Sequence, residues 1–226
     1  MSDILLKEQS SYIYSFIQEE TDPIIKEIES LALQRGIPIL DKLSLALLKQ
    51  LTLLKRPKVF LEIGAAICYS TISIAKILSH DSKIIALEKS PENFEFANRF
   101  IEKSGFNDKI KLLLCEAKDY LSETKDSFDF IFLDADKEDY KELFYLSIDK
   151  LRFGGVIFID NLLWHGYAAM PQDKIPDNYK KSANFIKEFN EIFIAEKKLF
   201  SQIYPIGDGI GIGYKINNQR PFNFAI

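Results

Sequence analysis

The chain has 226 residues, enough for one or two ordinary domains and a core that needs no disulfide or structural metal. Hydrophobic residues at 47% and charged residues at 27% exclude collagen, low-complexity disorder and a disulfide scaffold. With 29 Lys plus Arg against 33 Asp plus Glu, the chain lacks a global basic field for holding nucleic acid.

The first third reads as helix. Ile4, Leu5, Tyr12, Ile13, Phe16 and Ile17 recur at near-helical spacing. Asp22-Pro23 is a cap followed by Pro in the first turn, and the apolar stripe after it stops at Gly36. Residues 37–40 connect to a third predicted helix over about residues 41–55. The texture then changes. Val59-Phe60-Leu61-Glu62-Ile63 is a buried strand closed by Gly64, with helical text after it to Leu78. Further strands are predicted at residues 83–88, 109–115, 128–134 and 156–160. Helices are predicted after Ser90-Pro91 and over about residues 139–151. After Asp160 an irregular stretch leads to a long helix over about residues 177–198. Two last strands flank Gly207-Asp208-Gly209, a hairpin signal that makes one late strand antiparallel. The tail 217–226 carries no signal.

Cys68 and Cys115 sit in apolar runs and read as buried free thiols. His80 and His165 are the two histidines, too few for a His-rich zinc site. The start Met1-Ser2-Asp3-Ile4 lacks the pattern of a signal peptide, and no apolar run reaches the length of a membrane span. A cytoplasmic protein with no membrane partner is expected.

Strands alternating with helices imply right-handed crossovers and a mainly parallel α/β sheet. Ligands of such sheets bind outside the carboxyl ends of the strands. Here those ends are acidic: Glu62, Glu88, Asp134 and Asp160 close four strands. One such acid is commonly a helix cap; four in the same place weaken that reading. The first strand-to-helix turn, Glu62 to Ser70, has one glycine, Gly64, where a pyrophosphate cradle needs several. Glu88 lies 24 residues beyond Gly64, where an acid can accept from ribose hydroxyls. An acidic rim favours a cationic cofactor without phosphates. S-adenosylmethionine fits, and a nicotinamide dinucleotide does not.

Asp134, Asp160 and Asn161 are three oxygen donors that come together if the fifth strand lies beside the fourth. Oxygen donors select a hard cation such as Mg²⁺. An equal reading has Asp160-Asn161 opening a turn and Asp134 capping a helix. Lys137, one short turn past Asp134, would be close to the same cation; the commoner fate of a lone lysine is the surface.

The sequence resembles the cation-dependent class I S-adenosylmethionine O-methyltransferases, which include catechol and caffeoyl-CoA O-methyltransferases. The matching segments are LEIGAAICYS at 61–70, LEKS at 87–90, FDFIFLDADKEDY at 128–140, GGVIFIDNLLWHG at 154–166 and PIGDG at 205–209. IPILDK at 37–42 and IYPIGDG at 203–209 look closest to a bacterial branch that methylates wobble-position 5-hydroxyuridine in tRNA. The resemblance implies a Rossmann-like class I methyltransferase fold, with a mainly parallel seven-stranded sheet, one antiparallel strand and N-terminal helices. It implies one methyltransferase domain over 1–226, with 1–56 as a helical segment over the site and 57–216 as the catalytic core. A homodimer is expected.

Residue by residue, the resemblance makes Lys137 the base and Asp134, Asp160 and Asn161 the metal ligands, for Mg²⁺ or another divalent cation such as Mn²⁺ or Ca²⁺. Glu62, Gly64, Tyr69 and Ser70 match methionine-side contacts, Glu88 the ribose contact and Ala117 the adenine side, with Asp134 also next to the cofactor. Ile39, Trp164 and His165 match the acceptor pocket; loop packing is an equal reading for these three. The family usually has Gly where this chain has Cys68, and a shorter Asp where it has Glu116.

The expected reaction is metal-dependent methyl transfer to a hydroxyl beside a second oxygen, on a small catechol-like aromatic acceptor. The alternative acceptor is tRNA 5-hydroxyuridine, whose hydroxyl sits beside a carbonyl. A tRNA enzyme should carry basic residues at the pocket mouth. Lys174, Lys180, Lys181 and Lys187 form a modest group there, diluted by Glu138, Asp139, Asp173 and Asp177. An inactive S-adenosylmethionine-binding module and a classical dehydrogenase are more distant readings.

Overall fold

The computed structural model describes residues 7–217. Ile4 and Leu5, placed in the first helix by the sequence, lie outside the described residues, as does 218–226 of the tail. The chain runs α1 (Lys7–Tyr14), α2 (Pro23–Arg35), α3 (Lys42–Lys55), β1 (Val59–Ile63), α4 (Tyr69–Ala75), β2 (Lys83–Glu88), α5 (Pro91–Ser104) and β3 (Ile110–Leu114). It continues α6 (Ala117–Glu123), β4 (Phe128–Leu133), α7 (Tyr140–Lys150), β5 (Leu151–Ile159), α8 (Asp177–Ala195), β6 (Leu199–Tyr204) and β7 (Ile210–Lys215).

The helix starts follow from side chains that satisfy free backbone donors. Asp22 accepts from the N–H groups of Ile24 at 2.8 Å and Ile25 at 3.1 Å. Asp41 does the same for Leu43 at 2.9 Å and Ser44 at 3.1 Å. α2 stops at Gly36, whose φ of +66° is the left-handed conformation glycine adopts at no steric cost.

The seven strands form one sheet in the order β3-β2-β1-β4-β5-β7-β6, with β7 antiparallel to both neighbours. This matches the mainly parallel seven-stranded sheet with one antiparallel strand that the resemblance implies. The order reverses at β1, which pairs in parallel with β2 on one side and β4 on the other. Strand side chains alternate between two helical layers. Phe60, Ile84, Phe130, Phe132 and Phe158 pack under α2 to α5. Leu61, Ile85, Ile131, Leu133 and Ile157 pack under α6 to α8. Both faces are covered, which explains the nearly unbroken apolar strands. No described helix is long and apolar enough to cross a membrane.

Four elements differ from expectation. α6 has no counterpart in the sequence reading. Its seven residues bury only Leu121, too little to print a helical stripe. β5 begins at Leu151, not Val156, because a register shift beside Phe128 accommodates the exposed start Arg152-Phe153. α8 ends at Ala195, and β6 starts at Leu199.

Candidate active site

β4 and β5 are adjacent, and their register pairs Leu133 with Ile159. Asp134 and Asp160 therefore leave neighbouring strands side by side. The Asp134 N–H donates to the Ile63 carbonyl at 2.9 Å, tying the end of β4 to the end of β1. Asp160 is buried, and its Oδ1 accepts from the Asn161 N–H at 2.7 Å. Burial, then the charge of Asp134, pushes the Asp160 carboxyl well above the usual carboxylate range, with Lys137 acting against both.

Lys137 is no surface lysine. Its side chain is 10% exposed and reaches into this cluster. Nζ lies 2.6 Å from Asn161 Oδ1, 2.7 Å from Tyr140 Oη, 2.9 Å from the Ala135 carbonyl and 3.3 Å from Asp134 Oδ1. The Tyr140 hydroxyl in turn donates to the Asp160 carbonyl at 3.0 Å. A cation of the protein's own thus sits among Asp134, Asn161 and Asp160. Two carboxylates and an amide oxygen, with one carboxylate starved of solvent, form a donor set that fits a hard divalent cation.

The turn from β1 to α4 lies next to this cluster. Gly64, with φ of +89°, passes over the backbone of Asp134. Two further turn residues take positive φ without being glycine, Ala66 at +46° and the buried Cys68 at +64°. The turn accepts the Cys68 side chain in the left-handed conformation that a glycine would take more cheaply. Below it, the buried Glu62 accepts from the Ser70 hydroxyl and, at 2.5 Å, from that of Thr71. Burial pushes the Glu62 carboxyl up to about 7, against those two bonds. The Tyr69 hydroxyl donates to Glu29 at 2.9 Å. Glu88, at the end of β2, accepts from the N–H groups of Ala66 and Ser90, both at 2.7 Å. Its carboxylate is therefore aimed at the turn. Glu88→Ala is expected to weaken S-adenosylmethionine binding by about 1–3 kcal/mol, the scale of a hydrogen bond to a charged group. An unchanged Kd by calorimetry would remove Glu88 from the cofactor site.

The segment after β5 carries Trp164 and His165. Trp164 Nε1 donates to Ser182 Oγ of α8 at 2.7 Å, and the ring centroid lies 5.4 Å from Lys137 Nζ. His165, Tyr167 and Tyr179 cluster beside it, with centroids 5.0–6.1 Å apart. Ile39 is half-buried against the layer of α2 to α5, and Ala117 opens α6 against the other layer. Of the basic group nearby, Lys180 is paired with Asp177 at 2.6 Å and Lys181 with Glu138 at 3.4 Å. The sequence reading missed Tyr140 and Thr71. Each stands within reach of a flagged residue, three and one positions away from Lys137 and Ser70.

The model of the O-methyltransferase family matches residues 17–216. The chain belongs to the O-methyltransferase family. A caffeoyl-CoA O-methyltransferase of Populus kitakamiensis is 32% identical over 181 residues, covering 77% of this chain and 76% of the relative. Among solved structures, a Staphylococcus aureus protein provisionally named a caffeoyl-CoA O-methyltransferase superposes with a TM-score of 0.85 at 26% identity. It covers 92% of this chain and 100% of its own. A Bacillus cereus O-methyltransferase in complex with S-adenosylhomocysteine gives 0.79 at 25% identity, covering 92% and 97%. This O-methyltransferase therefore uses S-adenosylmethionine as its methyl donor.

Proposed function

We propose that this O-methyltransferase methylates a hydroxyl that has a second oxygen beside it, on a small catechol-like aromatic, with the help of a divalent cation. The observation that carries the reading is the Lys137 ammonium held among Asp134, Asn161 and Tyr140, next to buried Asp160. Asp134, Asp160 and Asn161 would hold the cation, and Glu62 to Ser70 with Glu88 the methyl donor. S-adenosylmethionine supplies the methyl group as an electrophilic sulfonium. A divalent cation, when bound, supplies positive charge that favours the ionised form of the acceptor hydroxyl.

The chain's own residues do the rest. Lys137, once it has released a proton and stands as the neutral amine, takes the hydroxyl proton at Nζ and, as an ammonium again, donates to Tyr140 Oη and the Ala135 carbonyl. Tyr140 keeps Nζ at that place, because its own hydroxyl is anchored on the Asp160 carbonyl. Trp164 beside Nζ, with the tilted rings of His165, Tyr167 and Tyr179, offers an aromatic cluster for the acceptor. Transfer removes the sulfonium charge, so a site that excludes water favours it.

The relatives named for caffeoyl-CoA point to the same class of aromatic acceptor. Two of the four lysines there, Lys180 and Lys181, are paired with acids, which reduces the basic surface offered to a polyanion. A methyl-transfer screen tests the reading. Catechols should be methylated, and phenols with a single hydroxyl should not. Transfer confined to hypomodified tRNA would contradict it.

A further inference from the structure

Three of the five residues 161–165 carry positive φ without being glycine: Asn161 at +61°, Trp164 at +47° and His165 at +58°. Such backbone persists only where its surroundings over-determine it. Here the surroundings are the turn between β6 and β7. The Leu162 N–H donates to the Gly209 carbonyl at 2.8 Å and the Leu163 N–H to the Asp208 carbonyl at 2.8 Å. The His165 N–H donates to Asp208 Oδ1 at 2.6 Å. Gly209, with φ of +87°, makes the approach possible, since a Cβ there would lie 2.6 Å from the Leu163 nitrogen. On the far side of the turn, a Cβ on Gly207 would strike Asp41 and Ser44 at the start of α3. The turn is wedged between α3 and the segment after β5.

Asn161 also lies near enough to the Asp208 carboxyl to act on its charge. Burial pushes that carboxyl above the usual range, and the His165 N–H and the Asn161 side chain act against that push. Its Oδ2 is buried with no hydrogen-bond partner among the described residues, so it can still accept from an amide. Asn161 Oδ1 accepts from Lys137 Nζ at 2.6 Å. An amide has an oxygen end and an NH₂ end, and only the oxygen end serves a cation. An ammonium at one end and a carboxylate beside the other select a single orientation.

We propose that Asp208 is a positioning residue, which turns the Asn161 amide oxygen toward the Lys137 cluster and clamps the segment bearing Trp164 and His165. The first half of this proposal rests on Asn161 being a metal ligand; the second half does not.

Two variants of the full chain test it. Asp208→Asn keeps an oxygen for the His165 N–H but can set NH₂ against NH₂ at Asn161. It should weaken Mn²⁺ binding, read by electron paramagnetic resonance, by about tenfold, as loss of a ligand-orienting contact does. S-adenosylhomocysteine binding should be unchanged. Combining it with Asn161→Asp, whose carboxylate has two equivalent oxygens, should remove that cost. An Mn²⁺ affinity equal to wild type in Asp208→Asn, or an equal loss in both backgrounds, would overturn the orientation role. If Asp208→Asn alone fails to fold, the double variant should still fold and bind Mn²⁺ as Asn161→Asp does; weaker binding overturns the role. Asp208→Ala removes the clamp. Trp164 is the sole tryptophan, so its emission should shift to the red and its quenching by acrylamide should rise. Emission identical to wild type would overturn the clamp. Failure of the wild type to bind Mn²⁺ would refute the metal reading and with it the orientation half, and Trp164 would then decide the clamp alone.

Discussion

Lys137→Ala should lower turnover by about 10²–10⁴-fold, the usual contribution of a positioned acid–base group. Cofactor affinity should stay nearly intact, because the proton transfer is made only on the way to the transition state. The structure sharpens this expectation. Nζ is held by four acceptors and the side chain is 10% exposed, so Lys137 is placed for chemistry at the cluster and not for a phosphate outside it. The loss should shrink as pH rises, since an alkaline medium ionises the acceptor hydroxyl without help. Asp160→Ala should behave differently, with activity partly restored by extra Mg²⁺. Single-turnover rates at saturating acceptor, measured across pH, check both. A rate equal to wild type at every pH in Lys137→Ala would end the general-base assignment.

Gly64→Ala should abolish measurable cofactor binding and lower stability. At φ of +89° an L side chain is strained, and an added Cβ would overlap the Asp134 carbonyl oxygen and come 2.8 Å from its carbon. That obstacle is backbone at the end of β4, tied to β1 by the Asp134 N–H to Ile63 bond, so it cannot step aside as a side chain would. Overpacking of this kind costs about 1–3 kcal/mol, added to about 1–2 kcal/mol for the left-handed backbone. The shift also moves Asp134 itself, so the cofactor turn and the proposed metal ligands are disturbed together. Thermal unfolding and calorimetry with S-adenosylhomocysteine measure the two effects. Wild-type affinity in Gly64→Ala would show that the turn does not approach the cofactor.

Much of this architecture is legible in the sequence because its signals are local. Asp22 and Asp41 announce helices through bonds two and three residues away, and Phe128 to Leu133 reads as a buried strand from its own composition. The acids at the strand ends are equally visible, since strand adjacency places Asp134 beside Asp160 once the order of β4 and β5 is known. What stayed hidden depends on distant partners. The Tyr140 bond to the Asp160 carbonyl spans 20 residues and the Asp208 bond to His165 spans 43; no spacing rule connects them. Cys68 stood out against the family pattern, but only the backbone shows that it adopts the conformation glycine would have taken. α6 was missed because a short helix with one buried residue leaves no periodic trace.

Methyl donor and cation would be held by sets of residues that meet only at Asp134: the turn from Glu62 to Ser70 with Glu88 on one side, and Asp134, Asp160 and Asn161 on the other. The most direct measurement pairs S-adenosylmethionine binding with single-turnover methylation of a catechol, before and after exhaustive chelation and again after Mg²⁺ is restored. Binding should persist in the chelated protein, while methyl transfer falls to background and returns with Mg²⁺. Full methyl transfer in the chelated protein would contradict the account.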